Sequence, residues 1–177
     1  FWREFEITYR RGTATYRIKV ENPHALCRGL ATVELDCGDL TIDAVRENSQ
    51  EQKFVRADRR VVVSLARPAR INETRELEVH YHGTPARGIR FFPEQEQVYT
   101  VFSTSEWLVC VDAPDDKATL RLNLILPATL KAVGNGRLAA RHTSTNNKVM
   151  YEWKQEMPVP TYTFGFAAGR FRTLTEK

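Results

Sequence analysis

The sequence alternates apolar and polar residues with a period of two along most of its length. Between Lys117 and Leu126 every second residue is apolar, and shorter runs with the same period occupy 5–9, 16–20, 61–65, 75–82, 149–153 and 162–166. Alternation of this kind predicts strands with one buried face and one solvated face. No segment of 10–15 residues shows a clear helical period. The chain is therefore predicted to be all-β, either an antiparallel sandwich or an open, curved sheet.

Turn-forming residues separate the predicted strands. They occur at 11–12, 22–23, 37–39, 134–136 and 146–147, where Gly, Asn, Pro and Asp favour tight turns. Two stretches, 83–96 and 103–116, contain proline and lack alternation, so we expect long loops there. Loops on a β scaffold often carry function. The 177 residues of the chain are expected to form one β domain spanning 1–177.

The charge of the chain is unevenly distributed. The formal net charge is +4, and 53–90 contains nine Lys and Arg against four Asp and Glu. Such a surplus could attract nucleic acid or could lie on a solvated sheet face, and no nucleic-acid-binding motif accompanies it. We therefore expect no nucleic-acid partner. The longest apolar stretch, at 120–130, is interrupted by Arg121, Asn123 and Pro127, so no membrane partner is expected either.

The sequence contains few candidates for catalysis or metal binding. It has no H-E-x-x-H, G-x-S-x-G, Walker or C-x-x-C motif. His80 and His82 would share one face of a strand and could chelate a metal with Glu78 or His142 as a third ligand. The alternative is that both histidines lie on the solvent face. Because two ligands do not make a zinc site, we expect no metal, no cofactor and no catalytic residue.

Other reactive side chains have ordinary structural interpretations. Asp112, Asp115 and Asp116 could hold a cation, but aspartate and proline at 112–115 also favour a turn. Cys110 stands between two valines, and a thiol in apolar company is usually inert. The three cysteines form an odd count, which excludes a scaffold built entirely on paired disulfides.

From about residue 35 onward, seven short motifs follow one another in an order that resembles the N-terminal domain of the aminopeptidase N family of zinc peptidases. They are L-D-C-G-D-L-T-I at 35–42, L-E-V-H-Y-H-G at 77–83, Y-T at 99–100, V-C-V-D-A-P at 109–114, K-A-T at 117–119, G-N-G at 134–136 and the run 158–171. The resemblance implies an all-β, saddle-like domain of curved sheets that precedes a zinc-binding catalytic domain. The H-E-x-x-H and G-x-M-E-N motifs of that second domain are absent from this sequence. We therefore expect a non-catalytic β domain and no enzyme activity in the chain as it stands.

The resemblance also identifies two candidate substrate-binding positions. In the family, the polar residues of Y-T-Q-x-E/Q anchor the free amine of the substrate, and here Val101 and Ser103 occupy those positions. A carboxylate would pair with an ammonium group, whereas valine cannot and serine does so weakly. The longer protein is therefore expected to be an atypical aminopeptidase.

The first 36 residues depart from the family pattern. They resemble a β segment near the C-terminus of cyclic glucan synthases and glycoside phosphorylases. One hypothesis is a chimera joined near 33–37, and the other is a divergent natural domain with an eroded first hairpin. The sequence does not decide between these two hypotheses.

Three functions compete. The first is a β domain that caps the cleft of a catalytic domain through apolar surface around Phe91, Phe92, Trp107 and Leu108. The second is a free-standing module that binds protein, or carbohydrate by stacking on Trp107, Tyr99 and Phe92. The alternative for these aromatic residues is burial in the core, where Trp and Phe mostly lie. The third is an engineered scaffold that covers its orphaned face by self-association. The expected partner is thus a catalytic domain or a second copy of the chain.

Overall fold

The structure is a computed structural model that describes residues 4–11, 14–21, 32–70, 73–144 and 146–173. Its described residues form strands, turns and short 3-10 segments and contain no α-helix, which confirms the all-β prediction. No helix there is long and apolar enough to cross a bilayer. Gly12 of the predicted turn at 11–12, and both residues of the predicted turn at 22–23, lie outside the described residues.

Four sheets make up the described part of the chain. The strands are β1 (Glu4–Arg11), β2 (Ala14–Glu21), β3 (Thr32–Asp36), β4 (Thr41–Glu47), β5 (Gln50–Glu51), β6 (Phe54–Ala57), β7 (Arg60–Ser64), β8 (Glu76–His82), β9 (Ile89–Phe92), β10 (Gln97–Thr100), β11 (Lys117–Pro127), β12 (Lys131–Gly134), β13 (Arg137–Ser144), β14 (Lys148–Pro160) and β15 (Phe166–Gly169). The sheet orders are β2-β1-β8-β4-β5, β12-β15-β10-β9, β11-β14-β13 and β3-β7-β6. Neighbouring strands run antiparallel except β1 and β8, which pair in parallel.

Where side chains are described, the alternating segments that form strands do so because their apolar residues face one shared core. In β11, for example, Ala118, Leu120 and Leu122 are buried while Lys117 and Arg121 are exposed. Burying such side chains stabilises a strand by roughly 1.5–3 kcal/mol per large residue, which outweighs the weak local β propensity. The buried cluster draws on all four sheets.

Two parts of the strand prediction are wrong. The alternation at 162–166 does not form a strand, because 161–163 is a 3-10 turn in which Phe164 N–H donates to Thr161 O at 2.9 Å. The Thr161 hydroxyl also donates to Val111 O at 2.6 Å and anchors this turn. Conversely, the predicted loop at 83–96 contains β9, which pairs with β10 despite having no alternation.

The region of the hypothetical join is well packed. Val33, Leu35 and Cys37 are buried in the core, and β3 pairs with β7 in register from Thr32 to Asp36. Any join at 33–37 would therefore lie inside the core of the molecule.

The basic surplus at 53–90 is largely neutralised by carboxylates from other parts of the chain. Ion pairs join Arg59 to Asp39 and Glu106, Arg60 to Glu34 and Asp36, Arg75 to Glu47, and Arg87 to Glu106. The folded surface is therefore less basic here than the linear sequence indicates.

Candidate functional site

The candidate site is the outer face of the β12-β15-β10-β9 sheet together with the loop 101–103 that follows β10. Across this sheet Val133, Ala167, Tyr99 and Arg90 stand directly opposite one another. Opposite residues of antiparallel strands share one face, and Val133 and Tyr99 are exposed on it. The other face of the sheet presents Ala132 and Ala168 to the core. The outer face is thus partly apolar and open to solvent.

Two aromatic rings and a shallow cavity lie on this face. The Phe92 and Tyr99 rings are stacked with their centroids 5.5 Å apart and their planes 14° apart. Beside Tyr99, a cavity of about 340 Å3 runs between β10, β15 and the β12–β13 turn. Asn135 of that turn stabilises the cavity wall, because its amide donates to Thr163 O and its carbonyl accepts from Gly165 N–H. The polar groups of this wall are therefore already satisfied by the fold.

The loop 101–103 has an unusual backbone. Phe102 and Ser103 both have positive φ, 45° and 47°, although neither is glycine. The Phe102 side chain is 76% exposed, and Val101 is also exposed. Val101 N–H donates to Gly88 O at 2.9 Å, which fixes the start of the loop. The loop therefore presents an uncharged, largely apolar surface.

The two substrate-binding positions predicted by resemblance, Val101 and Ser103, both lie on this loop and both are exposed. Their contact with a substrate stays a prediction. Phe102 stands between them and projects further into solvent, and sequence reasoning missed it as a functional candidate. The sequence signal that could have identified Phe102 was its position between the two candidate residues Val101 and Ser103.

The expected apolar surface is only partly where it was predicted. Phe91 and Phe92 are exposed, but Trp107 and Leu108 are buried, so their assignment to an exposed face is wrong. Trp107 packs edge-on against Phe166 with ring centroids 5.5 Å apart, and its carbonyl accepts from the Tyr81 hydroxyl at 3.0 Å. Trp107 is consequently not available for stacking on a sugar.

The residues of this chain do not form a zinc site in its described part. His82 Nδ1 lies 2.7 Å from Asp43, and His80 Nε2 lies 2.9 Å from Glu78, so each histidine is engaged with a carboxylate. No three potential ligands converge among the residues that the structure describes. The zinc implied by the family resemblance therefore does not fit these side chains.

The acidic residues and the buried thiols have structural roles. Asp112 accepts from Ser105 N–H at 3.2 Å, and Asp116 N–H closes a turn onto Ala113 O. This turn was predicted from the sequence. Burial raises the pKa of the Cys110 thiol well above its usual range, and burial also raises that of Cys37. Neither thiol is activated as a nucleophile.

A second cavity, of about 520 Å3, lies beside the β4–β5 hairpin. Its lining is polar and includes Glu47, Gln50, Arg67, Glu73 and Arg75. The charged groups pair with one another, and the lining contains no aromatic ring. This cavity lacks the aromatic platform that the carbohydrate hypothesis requires.

The fold and this site define an all-β domain with an exposed apolar sheet face and a strained loop at its edge. The sequence model of the family described as Peptidase M1 N-terminal domain matches residues 8–163. The chain belongs to this family. The match begins within the first 36 residues, which favours a continuous family domain over a join at 33–37.

Similar proteins include both peptidases and a transcription factor subunit. Leucine aminopeptidase 2 of Aspergillus fumigatus is 25% identical over 153 residues, which cover 76% of this chain and 25% of the relative. Transcription initiation factor TFIID subunit 2 of Caenorhabditis elegans is 34% identical over 97 residues, which cover 50% of this chain and 9% of the relative. An M1 zinc metallopeptidase from Deinococcus radiodurans superposes with a TM-score of 0.73 at 26% identity, covering 94% of this chain and 40% of that chain. The chain thus spans a quarter or less of these two curated relatives.

Proposed function

We propose that this chain serves as the non-catalytic β domain of a zinc aminopeptidase-type protein and packs against the catalytic domain of the same polypeptide. The supporting observation is the outer sheet face, where Val133, Tyr99 and Phe92 are exposed beside Phe102. Contiguous exposed apolar side chains are typical of interaction surfaces.

In this proposal the loop 101–103 borders the substrate cleft. The positions that anchor the substrate amine in the family carry Val101 and Ser103 here, and no carboxylate stands on the loop. The loop therefore contacts the substrate through apolar surface, and the rest of the longer protein supplies any anchor for the amine. The expected consequence is weak recognition of a free N-terminus.

The test of the packing interaction uses two separately expressed chains, the present domain and the zinc-binding catalytic domain of the longer protein. Size-exclusion chromatography with light scattering is combined with a zinc assay on the same fractions. We expect a zinc-free β domain that co-elutes with the zinc-bearing domain. Val133→Lys should weaken binding at least tenfold, because it places a charge in an apolar interface.

Val55→Lys is the matched control, because Val55 is also an exposed strand valine, at 67% against 52% for Val133, and lies on the separate β3-β7-β6 sheet. It should leave binding unchanged. The proposal fails if the wild-type domains do not associate, or if both lysine variants bind equally well. Self-association of the β domain alone through the same face would support the scaffold alternative instead.

A second candidate function is a role in a protein assembly without peptidase activity. It is favoured by Val101 and Ser103, which lack an ammonium-binding group, together with the similarity to a transcription factor subunit. Hydrolysis of an aminoacyl chromogenic substrate by the longer protein separates the two candidates. Ordinary hydrolysis supports the peptidase, whereas no hydrolysis, with no gain in a Val101→Gln variant, supports the assembly role.

A further inference from the structure

The carboxylate of Glu106 is buried next to the loop 101–103 and carries two arginine partners. Its side chain is 7% exposed, and it accepts a hydrogen bond from Arg59 Nη2. Arg87 Nη2 lies 3.2 Å from the same carboxylate oxygen. A buried carboxylate is costly unless it is paired and hydrogen-bonded, and here both partners approach from the solvent side. We call this arrangement the Glu106 triad.

The Glu106 triad joins segments that are distant in sequence. Arg59 belongs to the β6–β7 turn and also donates to Asp39 at 2.8 Å, while Arg87 belongs to the segment that precedes β9. Glycine is required at two contacts. A Cβ on Gly38 would lie 2.6 Å from Glu106 Oε2, and a Cβ on Gly88 would lie 2.8 Å from Glu106 Cβ. Three segments therefore close directly around Glu106.

The same residue is linked to the loop. Glu106 N–H donates to Ser103 O at 3.0 Å, and Val101 N–H donates to Gly88 O at 2.9 Å. Phe102 and Ser103 thus lie between two hydrogen bonds, one donated by Glu106 itself and one accepted by Gly88, which packs against Glu106. The left-handed conformation is unfavourable for residues that carry a side chain, so two consecutive ones persist only where surrounding contacts determine them.

We propose that Glu106 is a positioning residue that holds Phe102 and Ser103 in the left-handed conformation and thereby projects the Phe102 side chain outward. Its functional meaning rests on the proposed function, in which this loop faces the cleft. The triad does not touch a substrate. It fixes the loop that presents Val101, Phe102 and Ser103.

The test is hydrogen exchange of individual amides in the present chain. In Glu106→Gln the two arginines lose their charged partner, so the amides of Val101 and Glu106 should exchange at least tenfold faster. The amide of Leu122, in the middle of β11, should keep its wild-type rate. Glu156→Gln is the control, because Glu156 pairs with Arg137 at 2.6 Å on an exposed surface, and it should change none of these rates.

A second variant addresses the backbone directly. Ser103→Gly in the Glu106→Gln background should restore protection of the Val101 amide toward the wild-type rate, because glycine adopts positive φ without strain. General weakening of the fold would not be rescued in this way. Arg59→Met provides an independent break of the triad and should accelerate exchange of the same two amides.

Three results would overturn the proposal: unchanged exchange at Val101 in Glu106→Gln, uniform acceleration that includes Leu122, or no restoration by Ser103→Gly. These measurements use the β domain alone. Failure of the catalytic-domain binding experiment would leave them unaffected, so the two proposals are tested separately.

Discussion

Two pairs of consecutive left-handed residues stand in the part of the chain that the structure describes, and they arise for different reasons. Asn48 and Ser49, with φ of 52° and 66°, form the two-residue turn between β4 and β5. Hairpin turns of this length favour positive φ, and asparagine tolerates it well. Phe102 and Ser103 connect no hairpin, and phenylalanine does not favour this conformation. The first pair follows from local turn chemistry, whereas the second depends on distant contacts.

Both pairs lie beside a buried glutamate that is paired with arginine. Glu47 ends β4 and meets Arg75 at 2.7 Å, and these two side chains are 6% and 7% exposed. At the second pair only Glu106 is buried, since Arg59 and Arg87 are 37% and 65% exposed. The ion pair near the hairpin is therefore part of the interior, while the Glu106 triad reaches the surface next to the candidate site.

The two pairs differ in what compensates for the strain of their backbone conformation. Positive φ at a bulky residue costs of order 1–2 kcal/mol, and a fold retains such residues mostly at functional sites, where neighbouring contacts compensate. The hairpin needs no such compensation. Four comparisons between variants should separate the two regions.

The largest effect is expected at the interior ion pair. Arg75→Met leaves Glu47 buried without its partner, which should cost about 3–4 kcal/mol of unfolding free energy. Arg87→Met removes a mostly exposed arginine while Arg59 still pairs with Glu106, so it should cost under about 1 kcal/mol. Urea unfolding of both variants measures the difference. Equal costs would contradict the distinction between an interior pair and a surface triad.

The next effect concerns the close contact at Gly88. Gly88→Ala places a Cβ 2.6 Å from Ser103 O at a φ of 74°, and should cost about 2–3 kcal/mol from steric overlap and left-handed strain. Asn48→Ala in the hairpin turn should cost only about 1 kcal/mol, because the turn is open to solvent. Thermal unfolding of the two variants compares them. A small loss of stability in Gly88→Ala would show that the loop can move away from Gly88.

A smaller effect, which stabilises the fold, is expected from glycine substitutions within the two left-handed pairs. Phe102→Gly removes an exposed side chain and relieves its left-handed strain, so it should raise the unfolding free energy by about 0.5–1 kcal/mol. Asn48→Gly should change it by less than about 0.5 kcal/mol, since asparagine already tolerates this conformation. Chemical denaturation detects the contrast. Destabilisation by Phe102→Gly would mean that the Phe102 ring stabilises the fold.

The smallest effect is a pH dependence near the hairpin. A hydrogen bond from Arg67, assisted by the N–H of Arg70, lowers the pKa of Glu73 from 4.5 to about 2. Because the folded pKa is depressed, the stabilisation is present above pH 4.5 and is lost as the pH falls toward 2. Glu73→Gln should therefore lose less stability than the wild type between pH 4.5 and 2. Phe102→Gly changes no charge, so its unfolding free energy should depend on pH as that of the wild type does. The same pH dependence in the wild type, Glu73→Gln and Phe102→Gly would exclude a contribution from Glu73.

Much of the fold could be predicted from the sequence because strand alternation is a local signal. The run from Lys117 to Leu126 already identified the buried face of β11, and the turns at 37–39 and 134–136 are where the glycines indicated. Ile89–Phe92 was missed because this short strand lacks alternation. The apparent alternation at 162–166 was misleading because Thr161 anchors a 3-10 turn there.

The site was less accessible to sequence reasoning. Resemblance to the family singled out Val101 and Ser103, and the structure shows them exposed on one loop, on either side of Phe102. Burial was considered for Trp107 only as the alternative to exposure and not for Leu108, because the irregular stretch around them carries no period that would indicate which side chains face the core. Glu106 and its arginines also gave no local signal.

Alternation and motifs along the chain were enough to establish the all-β character, the family, the positions of β1, β2, β7, β8, β11 and β14, and the buried faces of the last four. Tertiary structure alone decided the parallel pairing of β1 with β8, the partners of the basic stretch and the left-handed loop. These features depend on residues far apart in sequence, such as Arg59 and Glu106, which are 47 positions apart. The interaction free energy of such residues is gained only when packing excludes water and brings the charges together. No periodic pattern in the sequence indicates which distant residues will become neighbours.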